Sequence, residues 1–202
     1  MANAKMIGAA LAVLLAHAAG VRAQERKWGL GIELGLTRFW GASRSVTDDD
    51  NPGLKPYRPT SVTARIDREV GHVRLALATL YAKSGVAIDG SKAAVVAKGQ
   101  LSWIQVGPEI SFHLTRLGAA AIRLFGGPTV DVWNPVESDS RTKIGGQAGA
   151  ELQTPFGSSV AGVVRIRTSL TGSLFKQGEL PEGYQVRSMP TAGISLGLRV
   201  GV

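Results

Sequence analysis

The 202 residues contain no cysteine. That removes disulfide staples, thiolate metal ligands and a lipid-modified cysteine near the N-terminus, so an exported form must be held together by hydrogen bonds and packing. Histidine is nearly as scarce, at three residues, and no Cys/His cluster exists that would hold zinc or haem. After residue 23 no apolar run approaches the ~20 residues of a membrane-spanning helix. Helical periodicity is also missing. No nucleic-acid motif is present. The formal net charge is +8, but the cations are scattered, so the charge points no further than anionic lipid head groups.

What is present begins with an export signal. Lys5 supplies the positive start, Met6 to Gly20 is short and apolar, and Val21-Arg22-Ala23 sets small residues where a signal peptidase reads them, before Gln24. Residues 1–23 are therefore expected to be a signal peptide, and residues 24–202 a single domain. Without a spanning helix, a closed barrel is the one way this domain could satisfy its backbone inside a bilayer.

The mature chain alternates apolar with polar or small side chains, the two-residue period of strands. Eight segments stand out: Lys27–Trp40, Ser61–Val70, His72–Tyr81, Leu101–Leu114, Ala119–Trp133, Thr142–Gln153, Ser159–Leu170 and Met189–Val202. Long links (41–60, 82–100, 134–141, 171–188) alternate with short ones at Gly71, Thr115–Gly118 and Thr154–Ser158. Tight turns at one end and long loops at the other are the pattern of transmembrane barrels, whose periplasmic turns are short. The expected fold is all-β: an eight-stranded antiparallel up-and-down transmembrane β-barrel.

Sorting each segment by parity gives one track that is almost purely apolar, with Leu30, Ile32, Leu34 and Leu36 as its first run. The other track carries Glu33, Arg65, Asp67, Glu69, Arg74, Glu109, Arg123, Asp131, Glu151, Arg165, Arg167 and Arg199 among glycines. Here Arg nearly excludes Lys. A planar guanidinium binds carboxylates with two parallel hydrogen bonds and suits buried pairs, whereas a watered face would be richer in Lys, Ser and Thr. The charges are therefore expected inside, in a lumen just wide enough for side chains to fill, and His113 is placed with them. Arg38 and Arg68 fall on the apolar track near strand ends, within reach of the interface. Trp28, Trp40, Tyr81, Phe112 and Trp133 are candidates for aromatic girdles.

Few motifs suggest chemistry. Glu109-x-x-x-His113 sets both side chains on one strand face, a spacing that could orient an imidazole as a base. No serine is placed beside them as a nucleophile, so a polar contact in the lumen is the preferred reading and no catalytic residue is assigned. Asp48–Asp50 lacks the spaced ligands of a calcium loop and reads as a loop tip. Gly126-Gly127-Pro128 reads as a bulge. No cofactor or metal site is expected.

Leu101–Trp133 (LSWIQVGPEISFHLTRLGAAAIRLFGGPTVDVW), with its aromatic-led strand, short basic turn and Gly127-Pro128, resembles the family of small outer-membrane β-barrel domains of the OmpA/OmpX-like kind. Thr142–Phe156 and Ala192–Val202 resemble the Gly-rich later strands of that family. The resemblance implies an integral outer-membrane barrel with no catalytic residues to carry over. The chain departs from the family at Leu198, Val200 and Val202, where an aromatic ending that serves assembly is usual.

Four functions fit these residues. The first is a non-enzymatic surface or structural barrel, monomeric, with outer-membrane lipids as its partners and a lumen plugged by ion pairs. The second is a narrow pore for small solutes. The third is a lipid-modifying enzyme using Glu109 and His113. The fourth is a soluble periplasmic lipid-binding barrel with the parity inverted.

Overall fold

Alternation with small residues on one face lets a twisted sheet curl until its edges meet, and in the computed structural model it does so. The structure describes residues 28–45, 53–89, 94–136, 139–180 and 182–202. The proposed signal peptide and Asp48–Asp50 lie outside the described residues. The elements are β1 (Trp28–Phe39), β2 (Ser43–Ser45), β3 (Gly53–Val70), β4 (Val73–Asp89), β5 (Ala94–Leu117), β6 (Ala120–Pro135), β7 (Arg141–Pro155), β8 (Val160–Thr171), a 3-10 turn (Gln177–Glu179), β9 (Tyr184–Val186) and β10 (Met189–Gly201). Eight long strands close in sequence order, each antiparallel to the next, with β10 returning to pair β1. The closing ladder runs from Gly29 opposite Gly201 to Phe39 opposite Thr191.

Two of the tight turns rest on glycine. Val70 pairs with Val73 across Gly71 and Leu117 with Ala120 across Gly118, and both glycines have positive φ, 61° and 59°, where a Cβ would be strained. Both described ends, Trp28 and Val202, and the tight turns between the described strands share one end of the barrel. The long connections share the other.

The sidedness is unambiguous. Leu34, Leu36 and Ile144 are 64%, 61% and 79% exposed, while Asp67 and Asp131 are 1% and 0% exposed. An apolar band of this size around a whole molecule demands lipid, which rules out the inverted, soluble arrangement. The 12 residues of β1 span about 40 Å at about 3.3 Å each. A tilt of about 40° projects this to roughly 30 Å, so Trp28 and the Trp40 that follows β1 bracket an apolar band of about 25 Å. Trp28, Trp40, Tyr81 and Phe112 are all exposed on that outer face. Arg38 and Arg68 share it, stacked over Trp40 and Trp28 with guanidinium carbons 5.3 and 5.2 Å from the ring centroids.

Three sequence expectations are corrected here. The links 41–60 and 82–100 are largely strand: β3, β4 and β5 continue past the membrane as an extended flap, with register shifts at Tyr57/Thr60 and Ser84/Val86. Pro56 and Pro59 disguised the first of these extensions; both are buried. Gly126-Gly127-Pro128 is not a bulge. Pairing between β5 and β6 stops after Val106 opposite Val130 and resumes at Ile110 opposite Gly126 in the same register, because Pro108 and Pro128 face each other without N–H groups to share. Trp133 belongs to no girdle and is fully buried.

Gly149 shows how tightly the wall meets its contents. A Cβ there would collide with the Ile166 carbonyl and lie 2.5 Å from the Phe125 ring. Gly149→Ala is expected to cost about 1–3 kcal/mol in urea unfolding measured in lipid vesicles. An unchanged midpoint would contradict this packing.

Candidate functional site: a filled lumen beneath a two-loop lid

The inward positions of all eight strands meet on the barrel axis. Glu151, on β7, is reached by three guanidinium groups: Arg65 Nη1 donates to one oxygen at 2.6 Å, Arg74 Nη1 to the other at 2.9 Å, and Arg165 Nε stands 3.4 Å away. Arg165 also donates to Glu109 at 2.7 Å, and Gln147 Nε2 donates to the second Glu109 oxygen at 3.1 Å. Glu33 accepts from Ser195 Oγ at 2.7 Å and lies 3.5 and 3.7 Å from Arg165 and Arg65. Phe125 covers the Arg165 guanidinium, whose carbon is 3.7 Å from the ring centroid, an attraction strengthened where water is excluded.

Toward the short-turn end, Arg199 grips Asp67 with Nε and Nη2, the shortest contact being 2.6 Å. Glu69 accepts from Arg74 and Arg123 at 2.8 and 3.0 Å. With Arg74 Nε 3.5 Å from Asp67, these contacts link Glu33, Arg65, Asp67, Glu69, Arg74, Glu109, Arg123, Glu151, Arg165 and Arg199 in one web, five acids against five arginines. Charge neutrality is what allows so many ionised groups inside a narrow space.

Toward the loop end the chemistry changes. Asp131 meets no guanidinium directly; it accepts from Trp103 Nε1 at 2.7 Å, Gln105 Nε2 at 2.8 Å and Thr129 Oγ1 at 3.1 Å. Arg167 donates to the Gln105 side-chain oxygen Oε1 at 3.0 Å, so the Gln105 amide carries the interaction between the two charges. Above this layer aromatic and aliphatic side chains fill most of the lumen. Trp103 and Trp133 stack at 5.1 Å with planes 4° apart, Phe39 packs edge-on to both, and Leu80, Leu101, Leu174 and Met189 complete the cluster.

Two loops close over the cluster. β2, in the first loop, pairs with β9, in the last. Ser173 Oγ donates to the Ala42 carbonyl at 2.6 Å, and the Arg187 amide donates to the same oxygen at 3.0 Å. Arg141, at the head of β7, donates to the Leu174 carbonyl and, through Nη2 at 2.5 Å, to Glu179. The Lys176 amide caps the other Glu179 oxygen at 3.0 Å. That backbone donor, helped by Arg141, holds the Glu179 carboxyl below the usual glutamate range.

Of the thirteen residues the sequence assigns to the lumen, twelve enter its hydrogen bonds and ion pairs. His113 keeps its register opposite Arg123, just before the shift at Thr115, but it is exposed at the short-turn end and joins none of the web's hydrogen bonds or ion pairs. Glu109 is committed to Arg165 and Gln147. Asp131 is in the lumen but is hydrogen-bonded by neutral donors rather than paired with arginine. The residues left unassigned are Trp103, Gln105, Gln147, Ser195 and Trp133, all on the inward parity; the signal was their position and not their charge. Among the described residues no group of His, Cys, Asp and Glu is placed to hold a metal ion, and no helix is long and apolar enough to cross a membrane.

No protein-family model and no curated protein sequence matches the chain. Solved structures do match. Neisserial surface protein A superposes with a TM-score of 0.57, covering 87% of this chain and 97% of its own at 11% identity. The chain has the fold of small outer-membrane β-barrels. The outer membrane protein OprG from Pseudomonas aeruginosa gives a TM-score of 0.53 over 86% of this chain and 95% of its own at 7% identity. Outer membrane protein AlkL, solved in lipid bilayers, gives 0.51 over 90% and 93% at 10% identity. At such identities the likeness carries the fold. Together with the lipid-facing band it sets this chain in the bacterial outer membrane.

The lid has its own pH dependence. Because the folded Glu179 titrates below its unfolded value of about 4.3, its stabilising contribution is complete above that pH and is lost as pH falls through the lower, folded value. Glu179→Gln should lower the amide-exchange protection of Tyr184–Val186 at pH 7, and the wild type should reach the same low protection only in acid. Equal protection of both proteins at pH 7 would contradict the tie.

Proposed function

We propose that this protein is a closed, non-enzymatic and monomeric barrel of the outer membrane that acts through its surfaces, the extended flap, the two-loop lid and the lipid-facing wall, rather than by conducting solutes or transforming them. The observation that carries this reading is the filling of the lumen. From Glu69 at the periplasmic end to Met189 beneath the lid, ion pairs and then packed rings cross the axis, and the pocket left beside Glu33, Thr63 and Arg165 is only about 20 Å³. A pore would need these arginines and carboxylates to line water, yet their short hydrogen bonds run to one another.

The non-enzymatic half of the proposal is supported by the fate of Glu109 and His113. The sequence spacing that could have served a lipid-modifying enzyme is split between a carboxylate tied into the web and an imidazole outside it. Loops on a rigid scaffold are where such folds carry recognition, and here the loop-end surface is preorganised by Arg141, Ser173 and the β2–β9 pair. Purified protein in planar lipid bilayers should give no stable stepwise conductance. A long-lived open channel of uniform size would overturn the closed reading.

A further inference from the structure

The lipid-facing wall is unevenly corrugated. On its periplasmic half, β10, β1, β3 and β4 enclose a groove of about 340 Å³ with an almost purely apolar lining. Its walls are Leu30, Ile32, Ile66, Leu77 and Leu198, and its floor drops at Ala64. The ladder places these residues in two rungs, since Leu30 stands opposite Ile66, Ile66 opposite Leu77, and Ile32 opposite both Ala64 and Leu198. One rung nearer the periplasm, at the foot of the groove, Trp28 stands opposite Arg68.

Arg68 differs from the lumen arginines. It is exposed on the outer face, held over the Trp28 indole, and among the described residues it has no carboxylate within ion-pair distance. Its sequence neighbours Asp67 and Glu69 point inward and are taken by Arg199, Arg74 and Arg123. The protein thus presents an uncompensated, preoriented cation at the depth of the periplasmic-leaflet head groups, with an apolar furrow leading from it into the bilayer. We propose that Arg68, Trp28 and this groove form a discrete site for one anionic phospholipid of the periplasmic leaflet, its phosphate on the Arg68 guanidinium and one acyl chain lying over Ala64 between Ile32 and Ile66. Stacking on the indole fixes the guanidinium without consuming its donors, and the short Ala64 side chain gives the acyl chain room to lie against the wall. The inference rests on the membrane placement above and not on the closed lumen, because a conducting barrel would keep the same outer wall.

Native mass spectrometry of the full chain, released from bilayers of equal parts phosphatidylglycerol and phosphatidylcholine, tests it. The wild type should retain a single phosphatidylglycerol in preference to phosphatidylcholine by about fivefold, the worth of one cation near an anionic head group. Arg68→Gln should abolish the preference, and Ala64→Leu, which fills the furrow, should reduce retention of both lipids. Arg116→Gln, which alters another exposed periplasmic-end arginine away from the groove, should behave as wild type. Each variant is first shown to keep the heat-dependent electrophoretic shift of a folded barrel. No preference in the wild type, or retention unchanged by both Arg68→Gln and Ala64→Leu, would overturn the site, whatever the conductance measurement shows.

Discussion

A buried charge is tolerable only when it is met by its opposite, and the rest of this barrel follows from that constraint. Removing a carboxylate and a guanidinium from water costs several kcal/mol per ion, and the web in the lumen contains five of each. They can be there because closure of the barrel turns the inward faces of non-adjacent strands toward one another, which brings the groups within 2.6–3.0 Å across the lumen at Glu151, Glu109, Asp67 and Glu69. The glycines follow from the same demand. A Cβ at Gly29 would sit in the Arg199 guanidinium, and one at Gly197 would lie 2.7 Å from Glu33 Cγ. Strand positions without side chains are the space into which the long charged ones fold.

The change of chemistry along the axis has a physical sense as well. Guanidinium groups with five donors need many acceptors, and at the loop end the acceptors thin out to Asp131 and the Gln105 side-chain oxygen. Trp103 joins the two regimes, since its indole N–H completes the Asp131 shell while its ring opens the apolar layer with Trp133 and Phe39. An apolar layer needs no electrostatic partners, so it can finish the plug directly under loops whose geometry is set by backbone hydrogen bonds and the Arg141–Glu179 pair. Ionic filling is thereby confined to the stretch where eight strands supply complementary charges from all sides.

Much of this is legible in the sequence because a strand's two-residue period assigns every side chain to a face. Leu34 and Glu33 go to opposite sides by parity alone, and the preference for Arg over Lys indicates which side is closed. The failures have local causes. His113 keeps the inward parity and its register opposite Arg123, but it lies at the open short-turn end, where it is exposed, and parity carries no information on depth. Trp133 shares its parity with Asp131, yet a tryptophan near a strand end suggests an interface whenever the depth of the lumen contents is unknown. Proline hides the outer half of β3, because the Pro56 and Pro59 signal reads as loop where a bulged strand tolerates it. The three-residue pairing of β2 with β9 leaves no periodic trace at all, since it depends on two loops remote in sequence meeting above the barrel.

The central claim is that the ion pairs of the lumen hold the barrel rather than merely occupying it, and Glu151, shared by Arg65, Arg74 and Arg165, is where it is most exposed to test. The unfolding free energy of Glu151→Gln against wild type, measured by denaturant titration in lipid vesicles at neutral pH, should fall by about 3–5 kcal/mol, because three buried guanidinium groups lose their shared anion. A loss of less than about 1 kcal/mol, the worth of a solvated surface pair, would mean that water screens the lumen and that the web is not what closes this barrel.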